Sequence, residues 1–108
     1  MVLVNLMQIP ASLPADEYCE TIVTGGDVLI ERIISSGHAS PPNFWYDQEA
    51  DEWVTVLQGS ARLRLANGQT RMMTSGDWVL IPAHERHRVE WTSQKPPCIW
   101  LAVHGRLK

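Results

Sequence analysis

The sequence predicts an all-β barrel or sandwich, and three observations carry that expectation. Turn signals recur at short intervals along the 108 residues. The apolar runs between them are about four to eight residues long, the length of strands. No stretch has the length and apolar spacing of a stable helix.

The elements follow in order. Ala15–Glu20 is the one segment with a helical character, and a single turn of that length is unstable alone. After Gly25-Gly26-Asp27, Val28–Ile34 reads as a strand. Turns at Ser35-Ser36-Gly37 and Ser40-Pro41-Pro42-Asn43 precede Glu52–Leu57, the next strand. Ser60–Ala66 alternates small or apolar residues with Arg62 and Arg64, so the arginines face outward. Asn67-Gly68 suits a tight hairpin turn because both residues accept positive φ at low cost. Gln69–Thr74 returns, and Trp78–Ile81 ends at Pro82. Arg88–Trp91 alternates again, and Cys98–His104 is a long late strand. Evenly spaced short strands of this kind close into a barrel or stack as a sandwich.

Composition excludes several classes. With 44% apolar and 19% charged residues the chain has globular rather than disordered composition. A net charge of −3 without any run of Lys or Arg argues against nucleic acid as a partner. No apolar run approaches the ~20 residues that span a bilayer, so no membrane association is expected. The apolar start, Met1 to Pro10, has no basic segment before it and reads as mature protein, which makes the cytoplasm the expected compartment. Cys19 and Cys98 form no C-x-x-C and read as free, partly buried thiols. There is no G-x-S-x-G, phosphate loop or dinucleotide fingerprint.

Five tryptophans, Trp45, Trp53, Trp78, Trp91 and Trp100, are many for this length. The simplest reading is that most of them fill the interior. The alternative is that two or three line a pocket, for which Phe44-Trp45-Tyr46 is the best-placed aromatic group.

Two segments stand out together. Glu52 is followed by six residues and then Gly59. Further on lies Gly76-Asp-Trp-Val-Leu-Ile-Pro82-Ala-His84-Glu-Arg-His87. Strand alternation puts Glu52, Val54 and Val56 on one side, and His87, Val89 and Trp91 on one side. A carboxylate and an imidazole on different strands thus project into one interior. Gly59 and Gly76 suit turns, and Pro82 ends a ladder without an unpaired donor.

These residues resemble the two motifs of the cupin family, G-x5-H-x-H-x3,4-E-x6-G and G-x5-P-x-G-x2-H-x3-N. Glu52, Gly59, Gly76, Pro82 and His87 fall at the matching spacings. The resemblance implies a double-stranded β-helix, or jelly-roll barrel, of six to eight antiparallel strands over about residues 28–104. Residues 1–27 would be an extension with edge strands, and 1–108 a single domain. It also implies a homodimer, in which the apolar residues 1–10 add a strand to a partner's sheet.

The departures from the family pattern bear on chemistry. In the family the H-x-H pair, the glutamate and the second-motif histidine hold a metal. Here the H-x-H positions carry Trp45 and Asp47, or with the shorter spacing Tyr46 and Gln48. The second-motif glycine is His84 and the closing asparagine is Trp91. A replacement ligand set for a divalent Zn, Fe, Mn or Ni would be Glu52, His87, His84 and one of Asp47 or Gln48. The opposing reading is a Glu52–His87 hydrogen-bonded pair in a polar pocket.

His38 reads as a solvated loop histidine. His104 shares strand parity with Trp100 and sits either at an edge or inward, near the same cavity. The stretch from Asp47 to Glu52 is either a solvated loop or an acidic mouth favouring a cation. Arg88 should face away from His87, unless an arginine reaches the mouth to clamp a substrate carboxylate.

Three functional readings follow. The first is a metal-dependent enzyme of isomerase, lyase or dioxygenase type acting on a small molecule, with Glu52 or His87 as base or ligands and Tyr46 as acid. The pocket would be completed by Trp45, Trp91, Val54, Val89, Trp100 and His104. The second is a small-molecule binding or sensing module without metal, which the lost histidine pair favours. The third is a structural partner domain with a tryptophan-filled interior.

Overall fold

The computed structural model describes Met1 and residues 3–107. Eight strands follow one another: β1 (Tyr18–Gly25), β2 (Val28–Ser35), β3 (Asp51–Gln58), β4 (Ser60–Leu65), β5 (Thr70–Thr74), β6 (Trp78–Ile81), β7 (His87–Thr92) and β8 (Cys98–Gly105). Among the described residues there is no helix. Five strands form one sheet in the order β1-β2-β8-β3-β6, and three form a second in the order β5-β4-β7. Every strand pairing is antiparallel. The fold is an all-β barrel of two antiparallel sheets, with the hydrophobic interior between them.

The register explains which side chains meet. Across the larger sheet Leu29 pairs with His104, His104 with Glu52, and Glu52 with Ile81. One row along, Glu31 pairs with Ala102, Ala102 with Val54, and Val54 with Val79. The next row runs from Cys19 through Ile33 and Trp100 to Val56. Because side chains alternate with a period of two, these three rows share the inner face. Val54, Val56, Ala61, Leu63, Met73, Ile81, Cys98, Trp100 and Ala102 form the buried core between the sheets.

The other face of β2 carries Arg32, which is buried and bonded to the N-terminal segment. Its guanidinium donates to the carbonyls of Leu6 (2.9 Å) and Gln8 (2.7 Å) and pairs with Glu20 on β1. Residues 3–10 form no strand within the chain. Val2, inside the segment expected to pair with a partner, lies outside the described residues.

Three sequence expectations are corrected here. Ala15–Glu20 does not turn as a helix; its second half enters β1, whose antiparallel pairing with β2 overrides weak local helical preference. The tryptophans do not fill the interior: Trp100 is 4% exposed, but Trp78 and Trp91 are 61% and 41% exposed. Trp53 and Trp78 lie against each other with ring centroids 5.9 Å apart. Finally, Trp91 does not share the face of His87. Arg62 pairs with Trp91 and Leu63 with Val89, so Glu90 is an extra residue, a β-bulge that flips the parity beyond it. Thr92, not Trp91, is the next inward residue and is 1% exposed.

Candidate functional site

A cavity of about 230 Å³ opens between the sheets. Drug-sized ligands occupy pockets of roughly 300–1,000 Å³, so this one suits a smaller molecule. Its walls include Glu17, Cys19, Glu31, Tyr46, Gln48, Glu52, His87 and His104 among the polar residues. Ile33, Val54, Leu63, Ile81, Val89 and Trp100 supply the apolar part.

Glu52 and His87 both face this cavity. The Glu52 Oε1 and His87 Nε2 atoms are 3.8 Å apart, beyond hydrogen-bond length. His87 Nδ1 lies 2.9 Å from the Glu85 carbonyl oxygen, so this nitrogen carries the proton and donates. In the neutral ring Nε2 is then the basic nitrogen, directed at Glu52. Burial raises the Glu52 carboxyl above its ordinary value; His104 and His87 oppose that and Glu31 adds to it.

Tyr46 is placed by backbone pairing. Its N–H donates to the His87 carbonyl (2.7 Å), and the His87 N–H donates back (3.2 Å). Its ring stacks on the imidazole with centroids 5.3 Å apart. Burial raises the phenol above its ordinary value, reinforced by Glu17 and Glu52, so the side chain stays a donor.

Sequence reasoning missed Glu31 and Glu17. His104 donates through Nε2 to Glu31 Oε1 at 2.8 Å, a diagonal contact across the β2–β8 pairing. The alternation of β2 puts Glu31 inward with Ile33, a signal that the sequence carried. Glu17 precedes β1 and accepts a hydrogen bond from Ser35 Oγ, which itself accepts one from Trp100 Nε1 at 3.0 Å. No local pattern announces that relay. Cys19 lines the cavity too, but burial, Glu17 and Glu31 hold its thiol above the ordinary value, which disfavours the thiolate. Both cysteines are free.

Several other expected site residues are elsewhere. His84 is exposed and bonded through Nδ1 to Asp47 Oδ1 at 2.8 Å, away from the cavity. The reason is backbone conformation: His84 occupies the glycine position of the motif with φ 64°, in the left-handed region. Gln48 reaches the cavity wall, and its carbonyl also accepts the His84 N–H. Trp45 does not line the cavity; its ring lies under the guanidinium groups of Arg86 (5.3 Å) and Arg88 (5.9 Å). Arg88 donates to the Ser40 carbonyl, and among the described residues no Lys or Arg lines the cavity.

The Asp47–Glu52 stretch is not the acidic mouth. Asp47 pairs with His84 outside, and Asp51 is buried as an acceptor for the Ala83 and Leu107 N–H groups. The carboxylates at the cavity are Glu17, Glu31 and Glu52. Nor is His38 a solvated side chain. It accepts from the Ser36 N–H and donates to the Ala15 carbonyl, tying the loop to the segment before β1.

Two packed antiparallel sheets around a ligand-sized cavity, with the second-motif histidine and the first-motif glutamate facing it, define the class. The chain belongs to the cupin family: the model of the Cupin domain matches residues 30–104. It is similar to a protein of Ralstonia eutropha JMP134 named as a candidate mannose-6-phosphate isomerase. Identity is 45%, covering 98% of this chain and 99% of that one, with a TM-score of 0.90. A Thermus thermophilus protein shares the fold at 18% identity, covering 98% of each chain, with a TM-score of 0.78. A cupin superfamily protein of Desulfitobacterium hafniense DCB-2 does so at 16% identity, covering 91% of this chain and 84% of that one, with a TM-score of 0.73. No match was found among curated proteins.

Cupins often hold a divalent metal, and the residues here do not fit one. The H-x-H positions supply no imidazole. His84 and Asp47 pair with each other outside the cavity, and His104 Nε2 is engaged by Glu31. Among the described residues no group of three or more His, Cys, Asp or Glu side chains is arranged to hold a metal ion.

Proposed function

We propose that this cupin binds a small polar molecule in the barrel cavity and moves a proton on it, with Glu52 and His87 as the acid–base pair. The observation that carries this reading is the pair itself. A buried carboxyl with raised pKa faces the basic nitrogen of an oriented imidazole across 3.8 Å. A carboxyl raised by burial and held beside the free nitrogen of an oriented imidazole is an arrangement that general acid–base chemistry uses. Tyr46, kept protonated, donates a hydrogen bond to an oxygen of the bound molecule. The apolar wall of Val54, Ile81 and Trp100 thins the water around the pair and strengthens their interaction with the ligand.

Phosphosugar isomerisation, the activity in the name of the Ralstonia relative, suits this cavity poorly. A phosphate dianion calls for Arg or Lys partners, and the cavity offers carboxylates instead.

A second reading, a binding module without turnover, is favoured by the missing imidazole pair. One experiment separates them. The protein, purified without a nickel column, is screened against small metabolites by ligand-observed NMR in D2O. Binding that is lost in Glu52→Gln supports the cavity as the site. Deuterium entering the bound molecule supports the enzyme, and an unlabelled molecule supports the module. Binding unaffected by Glu52→Gln overturns both.

We further take residues 1–108 to be one cupin domain acting in the cytoplasm as a homodimer. Support for pairing comes from exposed apolar side chains, Met72 at 56% and Trp78 at 61%. Among the described residues no helix is long and apolar enough to cross a membrane.

A further inference from the structure

The charge of the cavity is one-sided. Glu17, Glu31 and Glu52 line it, and among the described residues no Lys or Arg does. Even with His87 and His104 both protonated, three carboxylates face two imidazoles.

Two of those carboxylates have unused capacity. Glu52 is 9% exposed, so nine-tenths of it is buried, and it points into the cavity. Among the described residues no hydrogen bond reaches its carboxylate; His87 Nε2 stands 3.8 Å off. Buried carboxylates ordinarily accept two or more hydrogen bonds. Glu17 is fixed from behind by the relay through Ser35 Oγ to the buried Trp100 indole. That relay uses Oε2 and leaves Oε1 without a hydrogen bond among the described residues. Glu31 differs, because His104 already occupies it.

The rings of Tyr46 and Trp100 stand in the same wall. Aromatic faces attract cations as carboxylates do, and neither group attracts an anion.

We propose that the molecule held in this cavity is a small organic cation, an ammonium or substituted ammonium, whose charged nitrogen is taken by Glu52 and Glu17. The proposal rests on the cavity being the ligand site and names the chemical class that it selects. Its N–H or N–CH groups complete the carboxylate oxygens that the fold leaves open. The cavity volume of about 230 Å³ restricts the occupant to a few heavy atoms beyond the cationic centre.

The test uses probes matched in shape and differing in charge. Choline is compared with 3,3-dimethylbutan-1-ol, and n-butylamine with n-butanol and butyrate. Affinity is read by NMR titration of the full chain, following the Trp100 indole and His87 ring signals. The expected result is at least tenfold tighter binding of each cation than of its neutral counterpart. Glu17→Gln should narrow that preference several-fold, with Glu52→Gln as the second variant if the first does not fold. Equal or tighter binding of the alcohols or of butyrate at the same signals overturns the cation assignment and leaves the cavity reading standing. So does tight binding of Mn²⁺ or Zn²⁺ there without any effect of the amines. If no probe of any charge moves the Trp100 or His87 signals, both readings fall.

Discussion

Glu52 lies at the centre of the residue-scale argument. Burial is the main cause of its raised pKa, so folding favours the protonated form. The unfolded chain therefore releases this proton at lower pH than the folded one. The contribution is fully present below the ordinary carboxylate range and is lost as pH rises through the folded value. Thermal melts between about pH 4 and 8 should show stability falling with pH in the wild type. Glu52→Gln should flatten that fall and melt higher at neutral pH. A variant that melts lower, with the pH slope unchanged, contradicts the account. Cys98 moves in the same sense: burial pushes its thiol from 9.0 up to about 12, so alkaline pH between those values also costs stability. His84 gives a second test at this scale. A left-handed φ of 64° strains a side chain and suits glycine. His84→Gly should keep the fold and raise stability by up to ~1 kcal/mol, offset in part by the exposed Asp47 pair. It should leave ligand binding unchanged, whereas loss of binding would restore His84 to the site.

At the scale of elements, the bulge in β7 decides which aromatic side chain matters. Trp91 stands outside and Trp100 inside, although both sit in alternating strands. Trp91→Ser should change stability by no more than ~0.5 kcal/mol. Trp100→Ala should cost about 3–5 kcal/mol and release the Ser35–Glu17 relay; urea denaturation measures both. The turn glycines differ in the same way. Gly76 has φ 94°, and a Cβ there would meet only open space, so Gly76→Val should cost ~1–3 kcal/mol from strain alone. Gly59 has φ 80°, and a Cβ there would stand 2.5 Å from Ser93 Oγ and 2.8 Å from the Pro97 carbonyl oxygen. Gly59→Ala should therefore be the more damaging change despite the smaller side chain. The opposite ranking in urea denaturation would remove the steric argument. Most strands were legible, because turn chemistry punctuates them and each has enough apolar residues to bury one face. β1 was not, since most of its residues are exposed and only the β2 partner holds it in place.

For the whole molecule, the exposed Met72 and Trp78 flank the groove between β5 and β6, which are edge strands of different sheets. Covering such a surface is a common reason for pairing. Sedimentation velocity should give a dimer, and Trp78→Ser should shift it toward monomer with little change in the melt. A wild-type monomer at all concentrations refutes the pairing. The sequence by itself determined the all-β class, most strand positions, and the inward sides of Glu52 and His87, because turn residues and period-two alternation are local properties. Tertiary structure decided the rest. The β7 bulge turned Trp91 out, the strained backbone turned His84 out, and the β1–β2–β8 register brought Glu17 to the cavity and joined Glu31 to His104 across it. Register and bulges are settled by which faces bury together across strands distant in sequence, and no local pattern encodes that.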